Sequence, residues 1–254
     1  MNTSNTQQNI LIVGASRGIG FCFVKTLLEQ KNNIQLYATY RDQETAQDLF
    51  KLQLKYSSYL NLLQLDVTEE EQISNLATKL KQEISDIHLL VNCVGFLHKD
   101  NIKPEKSLRH INSNNLLTSF QVNSIATVLL AKYLLPFFRH SEPSIFAAVS
   151  AKVGSIGDKY LGGWYGYRAS KTALNMFLKN ISIEYKRTCP HTVVVALHPG
   201  TTDTDLSKPF QKNVPPEKLF SVERTVNQLL KIIDNLTEND TGEFFSWDGS
   251  RLPW

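Results

Sequence analysis

The chain has 254 residues, of which 42% are hydrophobic and 20% are charged. This length and composition suit one globular α/β domain with ample material for a core. The formal net charge is only +3, and Lys and Arg are spread along the chain, so the sequence does not support nucleic-acid binding.

The amino terminus and the cysteines indicate the cellular environment. Met1 to Asn9 is polar and lacks a basic stretch followed by a long apolar run, so we expect no signal peptide. No run approaches the roughly 20 apolar residues of a membrane helix. Cys22, Cys93 and Cys189 lie far apart without metal-site spacing and are interpreted as free thiols. We expect a soluble, cytoplasmic protein without a metal.

Apolar runs alternate with amphipathic stretches along the chain. The predicted strands are Asn9–Val13, Ile34–Thr39, Leu60–Leu65, Ile87–Asn92, Ser144–Ser150, Thr192–Leu197 and Glu243–Ser246. The predicted helices are Gly18–Gln30, Asp42–Tyr56, Glu69–Ile84, Leu116–Phe138, Tyr165–Lys186 and Val222–Leu236. This alternation predicts a parallel sheet with helices on both faces, in a single domain spanning residues 1–254.

Two longer segments, Gly95–Asn115 and Thr201–Leu219, interrupt this alternation. Each follows the carboxyl end of a strand, which is where open α/β sheets bind ligands. The second contains three prolines and is predicted to be a lid over a substrate, because long loops in compact domains are usually functional. The alternative to a lid is a surface loop with no role at the site.

The first strand runs into a glycine-rich loop, Gly14–Gly20 (GASRGIG). Its glycines permit a tight turn and a close approach of backbone to a pyrophosphate at the start of the following helix. The spacing GxxxGxG differs from the more familiar GxGxxG. We therefore expect a dinucleotide cofactor at this loop.

Two arginines indicate which dinucleotide binds. Enzymes restricted to NAD usually end the second strand with an acidic residue, whereas here Tyr40 is neutral and Arg41 is cationic. Together with Arg17, Arg41 would pair well with a 2′-phosphate. The sequence predicts NADP(H) rather than NAD(H), unless Arg41 only pairs with Asp42.

The quintet Tyr167–Lys171 (YRASK) carries the chemistry. Tyr167 and Lys171 are one helical turn apart and share a face. A lysine cation near a phenol favours the phenolate, so we expect a lowered pKa at Tyr167 and general acid–base catalysis of hydride transfer at a carbonyl or alcohol carbon.

The order and spacing of these motifs resemble the short-chain dehydrogenase/reductase family over essentially the whole chain. The motifs are the Gly14–Gly20 loop, Asp66, Asn92–Gly95, Asn123, Tyr167–Lys171 and Pro199-Gly200. The stretch from Gly162 to Asn175 and the ending from Phe244 to Gly249 with Pro253-Trp254 resemble the C-factor-like branch and sniffer-type carbonyl reductases. The resemblance implies a single Rossmann-type doubly wound domain with a central, mostly parallel seven-stranded sheet.

The resemblance also implies an Asn-Ser-Tyr-Lys tetrad. Tyr167 would donate the proton in reduction, Lys171 would hold the nicotinamide ribose, and Asn123 would hold a relay water. Read alone, Asn123 is only a polar residue interrupting a helix. The residues expected to contact the cofactor are Gly14, Ser16, Arg17, Gly18, Ile19, Gly20, Arg41, Asp66, Val67, Asn92, Gly95, Tyr167, Lys171, Pro199, Gly200, Thr201 and Thr202. Asp66 could equally be a helix cap before Glu69.

The serine of the tetrad departs from the family pattern. Ala151 stands where the family has the second of two serines, whose hydroxyl polarises the substrate carbonyl. Ser150, at the end of the strand, is the candidate, and Ser155 on the longer following loop is the rival. If neither hydroxyl reaches the substrate, we expect weak reductase activity.

The substrate is less well specified. Phe96, Leu97, Trp164 and Tyr165 suggest an apolar or aromatic carbonyl compound, although such residues are more often packing elements. His198 is interpreted as a strand-end residue rather than a base. The alternatives to a reductase are a dinucleotide-binding signalling protein with weak or no catalysis and a nucleotide-sugar epimerase or dehydratase. A homodimer or homotetramer is compatible with the sequence.

Overall fold

The computed structural model of the protein describes residues 7–99, 102–158 and 162–254. Residues 1–6 of the predicted polar terminus, 100–101 of the first long segment and 159–161 of the loop before Tyr167 lie outside the described residues. The strands of the central sheet are β1 (Gln8–Val13), β2 (Ile34–Tyr40), β3 (Leu60–Gln64), β4 (Leu89–Asn92), β5 (Ser144–Val149), β6 (Thr192–His198) and β9 (Glu243–Ser246).

The seven strands form one parallel sheet in the order β3-β2-β1-β4-β5-β6-β9. The chain order reverses between β1 and β4, which is the switch point where doubly wound folds bind ligands. The predicted doubly wound parallel sheet is therefore confirmed. β7 (Thr201–Thr202) and β8 (Leu219–Phe220) add a short parallel ladder that the sequence analysis did not predict.

The helices are α1 (Gly18–Gln30), α2 (Gln47–Lys55), α3 (Glu70–Glu83), α4 (Ser113–Phe120), α5 (Ala126–Leu134), α6 (Tyr165–Thr188) and α7 (Val222–Asp234). The helix predicted from Asp42 starts later, because Gln43–Ala46 forms a 3₁₀ turn first. The helix predicted from Leu116 starts earlier, because Asn112 caps it through bonds from Asn114 N and Asn115 N.

Side chains of the strands alternate between two apolar layers. In β1, Leu11 and Val13 pack into the layer covered by α3, α5 and α6, whereas Ile10 and Ile12 pack into the layer covered by α1, α2 and α7. All four are at most 1% exposed, since a parallel sheet between helices is buried on both faces. The carboxyl edge of this buried sheet is where the predicted site residues lie.

The helical stretch Ser113–Phe138 corrects the expectation that no run approaches the length and apolar character of a membrane helix. It contains α4 and α5 and is long and apolar enough to cross a membrane by length and composition. Leu130 and Leu134 in it are completely buried against the sheet and α6. A core helix passes the same test, and this packing explains its apolar character.

Candidate active site

The glycine loop between β1 and α1 is a tight turn that tolerates no side chain at two positions. Gly14 has a φ of 80°, and a Cβ there would lie 2.7 Å from Val94 Cγ2. A Cβ on Gly20 would collide with the carbonyl oxygen of Gly14. Thr39 Oγ1 accepts a hydrogen bond from Gly14 N at 3.0 Å and fixes the turn to β2. The close packing of helix on strand therefore depends on these two glycines.

The start of α1 has no side-chain cap. Arg17 precedes the helix in an extended conformation and makes no side-chain capping bond. Ser16, Gly18 and Ile19 around it are half-buried. A helix start without a side-chain cap presents backbone N–H groups and a positive dipole end. These features fit the pyrophosphate of a dinucleotide.

Both predicted phosphate-binding arginines are exposed and each pairs with a carboxylate. Arg17 Nη1 lies 3.2 Å from Asp205 Oδ2, and Arg41 Nε lies 3.0 Å from Asp42 Oδ2. The Arg41–Asp42 pair is the alternative that the sequence left open. Exposed ion pairs contribute at most about 1 kcal/mol, so a phosphate dianion can compete for either guanidinium.

Asp66 and Asn92 shape the turns after β3 and β4. Asp66 Oδ1 accepts hydrogen bonds from Thr68 N at 3.0 Å and Thr68 Oγ1 at 2.7 Å. Asn92 is 3% exposed, donates to Thr127 Oγ1 at 2.9 Å and accepts from Val94 N at 3.1 Å. Asp66 therefore fixes the turn before α3 but is not the predicted helix cap, because Glu69 occupies the N-cap position without a side-chain capping bond; next to Asp66, Val67 is buried.

Asn123 lies in a π-helical turn, Gln121–Ile125, between α4 and α5 and is 1% exposed. Its Oδ1 accepts from Phe96 N at 2.7 Å, and its Nδ2 donates to Phe96 O at 2.8 Å and to Ser170 Oγ at 3.0 Å. π-turns inside α-helices occur frequently at functional sites. The amide joins the loop after β4 to α6, beside Lys171.

Lys171 is 2% exposed and donates from Nζ to the carbonyl oxygen of Val149 at 2.9 Å. A Cβ on Gly95 would lie 3.9 Å from this Nζ and 4.0 Å from Asn123 Oδ1. Burial lowers the pKa of Lys171 to about 8, opposed by the nearby Cys93 thiol. The structure therefore brings Asn123, Gly95 and Lys171 together at the edge of the sheet.

Tyr167 is half-buried on α6, and Lys171 Nζ lies 6.0 Å from the centroid of its ring. Burial raises the pKa of Tyr167 to about 12. The predicted lowering of this pKa is wrong for the chain alone. The effect of burial on this pKa is larger than that of the Lys171 cation, which lies 6.0 Å from the ring centroid and donates from Nζ to Val149 O.

The two candidate serines differ in their surroundings. Ser150 is 2% exposed and donates to Asn175 Oδ1 at 2.6 Å. Ser155 is 3% exposed, and its Oγ has no hydrogen-bond partner among the described residues. Ala151 between them supplies no hydroxyl. The hydroxyl proton of Ser150 is thus committed to a side chain on α6.

His198 ends β6 and accepts a hydrogen bond at Nδ1 from Lys152 N at 3.3 Å. Burial lowers the pKa of His198 to about 4, so the ring is neutral near pH 7. It fixes the 3₁₀ turn after Ala151, in keeping with its interpretation as a strand-end residue.

The segment Pro199–Thr202, which we expect beside the nicotinamide, is braced by close packing against other parts of the protein. Gly200, with a φ of 72°, packs so closely that a Cβ would lie 2.6 Å from Phe220 Cε2 and 3.1 Å from Trp247 Cδ1. Thr202 Oγ1 is 2.8 Å from Thr225 Oγ1 in a buried contact. Pro199 and Thr201 flank Gly200 on a segment with little freedom to move.

An aromatic cluster leads from the second long segment to Tyr167. The ring centroid of Trp164 lies 6.1 Å from that of Tyr167 and 4.8 Å from that of Phe210. The ring centroids of Phe210 and His98 are 5.7 Å apart. His98 Nε2 also contacts the carbonyl oxygens of Asp205 and Leu206 at 3.2 and 3.1 Å. Sequence reasoning missed Phe210 and His98, whose pairing depends on how two distant loops meet.

Comparison with known proteins adds independent information. The sequence profile of the short chain dehydrogenases matches residues 8–215. The chain belongs to the short-chain dehydrogenase family. An NADPH-bound carbonyl reductase from chicken fatty liver superimposes with a TM-score of 0.87, at 29% identity over 98% of this chain and 95% of that one.

Two further relatives represent the branches indicated by the sequence. The carbonyl reductase Sniffer of D. melanogaster has a TM-score of 0.86 and 27% identity, covering 98% of this chain and all of that chain. The C-signal protein of Myxococcus xanthus is 29% identical over 58% of this chain and 84% of its own length. The resemblance found in the sequence is therefore confirmed.

Proposed function

We propose that this short-chain dehydrogenase is an NADP(H)-dependent carbonyl reductase or alcohol dehydrogenase. The observation that carries the proposal is the convergence of Tyr167, Lys171, Asn123 and Gly95 at the carboxyl edge of the sheet. The similarity to an NADPH-bound carbonyl reductase supports it. NADPH, when bound, supplies the hydride that reduces the carbonyl carbon.

Tyr167 is the proposed general acid in reduction and the general base in oxidation. With its pKa raised to about 12, it is protonated near neutral pH and has a proton to donate to the developing alkoxide. Lys171, with its pKa near 8, is mostly charged at pH 7 and favours the phenolate left behind. Asn123, beside Lys171 across Gly95, is the proposed anchor of the proton relay.

The cofactor is proposed to lie from the glycine loop to the braced segment at Pro199–Thr202. The start of α1 would bind the pyrophosphate, and Arg17 and Arg41 would exchange their exposed carboxylate partners for the 2′-phosphate. Asp66 and Val67 would face the adenine, while Asn92 and Gly95 would lie along the ribose.

Carbonyl polarisation is proposed to be weak in this chain. Ser150 remains the candidate donor because it directly follows Val149, the carbonyl partner of Lys171. Its proton is donated to the buried Asn175, and a bond to substrate would require that contact to break. Ala151 offers no replacement. Substrates with an aromatic group beside the carbonyl fit the neighbouring rings of Trp164 and Phe210.

The test is a substrate screen with purified protein. We expect carbonyl-dependent loss of NADPH absorbance with aldehydes and aromatic ketones, and a kcat/KM for NADPH at least about tenfold above that for NADH, since two guanidinium contacts to a phosphate are charge-assisted. Equal kcat/KM values for NADH and NADPH would contradict the cofactor assignment. NADPH consumption independent of any carbonyl compound would contradict the reaction.

A second candidate is a dinucleotide-binding signalling protein with little catalysis. It is favoured by the missing hydroxyl at Ala151 and by the similarity to the C-signal protein. Tight NADPH binding without turnover of any carbonyl compound would select it over the reductase. A fluorescence titration with NADPH measures the binding, and the absorbance assay measures the turnover.

A further inference from the structure

Glu105, in the segment between β4 and α4, is a buried carboxylate that the proposed mechanism does not use. It is only 5% exposed. Within residues 7–99, 102–158 and 162–254, no lysine, arginine or histidine forms an ion pair with it. A buried carboxyl group without such a pair needs hydrogen-bond partners as its source of stabilisation.

That stabilisation comes from the first turn of α6. Glu105 Oε2 accepts a hydrogen bond from Gly166 N at 3.1 Å, and the carbonyl oxygen of Glu105 accepts one from Trp164 N at 2.6 Å. Trp164, at the N-cap position, is left-handed with a φ of 50° and makes no side-chain cap. Glu105 therefore takes the place of a capping side chain, at the positive end of the helix dipole.

A side chain at either of two glycines near Glu105 would crowd the neighbouring atoms. A Cβ on Gly166 would lie 3.0 Å from Glu105 Oε1, 3.1 Å from Leu116 Cδ2 and 3.2 Å from Ser119 Oγ. A Cβ on Gly163 would lie 3.1 Å from the carbonyl oxygen of Glu105. Both glycines thus allow the segment that carries Glu105 to lie directly against the start of α6.

We propose that Glu105 is a positioning residue for Tyr167, acting as a remote cap of α6. Tyr167 directly follows Gly166, whose N–H is bound by Glu105, and its ring contacts that of Trp164, whose N–H is bound by the same residue. A shift of this turn would move the phenol from the position needed for proton transfer. The proposal rests on the proposed reductase function.

The experiment compares Glu105→Ala and Glu105→Gln with Ser221→Ala as a matched control. Ser221 caps α7, on the opposite face of the sheet, by accepting a bond from Arg224 N. Hydrogen exchange of residues 164–170 reports the capping without substrate. The kcat with an aromatic ketone reports the position of Tyr167. The Kd for NADPH shows whether cofactor binding is unchanged.

For Glu105→Ala we expect exchange at residues 164–170 to accelerate about tenfold or more, as when a charged hydrogen-bond partner is lost. We expect kcat to fall about tenfold to a hundredfold, since a displacement near 1 Å has this effect, with the Kd for NADPH within about threefold. Glu105→Gln keeps an acceptor oxygen and restores protection and most of kcat. Ser221→Ala accelerates exchange in α7 alone.

Three results would overturn the proposal. Unchanged exchange at the start of α6 in Glu105→Ala would show that no cap was lost. Faster exchange with an unchanged kcat per folded molecule would show that the cap does not position Tyr167. A Gln variant as defective as the Ala variant would exclude the acceptor role. Absence of turnover in the unmodified protein would refute the reductase function instead, while exchange would still decide the capping.

Discussion

The proposed cofactor end and the proposed chemical end of the candidate site are built differently. At the cofactor end, Arg17 and Arg41 are exposed and hold exposed carboxylates. At the chemical end, Asn123, Ser150 and Lys171 are at most 2% exposed and are hydrogen-bonded to other parts of the protein. One end can exchange its partners for a ligand at little cost, whereas the other is fixed by the fold.

This difference separates the expected effects of substitution. The exposed arginines are proposed to contribute to cofactor affinity, so changes there should alter Kd and leave the chemical step intact. Buried polar groups govern geometry and protonation, so changes there should alter kcat. The following variants test whether the two ends can be separated in this way.

Among the variants that test this separation, Lys171→Met is expected to have the largest effect, because it removes the cation but keeps an unbranched chain in the buried position. We expect kcat to fall about 10²-fold or more, because assistance to proton transfer is lost. Lys179→Met is the control, since Lys179 lies on the same helix and donates to the carbonyl oxygen of Gly242 at 2.9 Å, away from the site. Equal kcat values for the two variants would contradict the role of Lys171.

The pH dependence of reduction should reflect the charge of Lys171. Its lowered pKa of about 8 means that the cation is present below pH 8 and is lost above it, while Tyr167 stays protonated up to about 12. We expect kcat/KM for the carbonyl compound to be level from pH 6 to 7 and to fall above pH 8 by about tenfold per pH unit. Lys171→Arg, permanently charged, should abolish the decline; a decline that persists would contradict this assignment.

A smaller effect, on binding alone, is expected from Arg41→Ala. The Kd for NADPH should rise about tenfold to a hundredfold, as for loss of a charge-assisted bond, with the Kd for NADH nearly unchanged. Asp42→Asn is the informative counterpart, because it frees Arg41 from its ion pair and should leave NADPH binding equal or tighter. Fluorescence titration measures the Kd of each variant for NADPH and for NADH. Parallel losses for both cofactors would refute the contact with the 2′-phosphate.

The smallest expected effect is a gain from Ala151→Ser. A hydroxyl here would donate to the developing alkoxide, and we expect kcat to rise about tenfold, less than the full value of an oxyanion donor because the neighbouring loop is not adapted to it. Ser150→Ala is the comparison: it removes the bond to Asn175 and should lower the free energy of unfolding by about 1–3 kcal/mol. A loss of kcat in Ala151→Ser would contradict weak polarisation.

The sequence predicted what depends on local pattern. Buried strands such as β1 and helices such as α1 follow from apolar periodicity, and the order of strands and helices implies the parallel sheet. The glycine loop was recognisable because Gly14 and Gly20 meet steric demands within one turn of chain. The family follows from these motifs in order.

The parts that were missed depend on contacts between distant segments. Glu105 reaches Gly166 across 61 residues of sequence, and His98 reaches Asp205 across 107. The pKa of Tyr167 was predicted in the wrong direction, because spacing shows that Lys171 is near but not that burial of the ring has the larger effect on this pKa. Neither contact partner nor burial can be read from residue spacing.

The most direct test of general acid catalysis by Tyr167 is single-turnover oxidation of NADPH by Tyr167→Phe with a carbonyl substrate. Tyr165→Phe is the matched control, since Tyr165 lies two residues earlier on α6 and is 38% exposed. We expect the turnover rate to fall about 10²- to 10⁴-fold in Tyr167→Phe with the NADPH Kd nearly unchanged, and normal turnover in Tyr165→Phe. Turnover by Tyr167→Phe at the rate of the unmodified protein would contradict general acid catalysis by this residue.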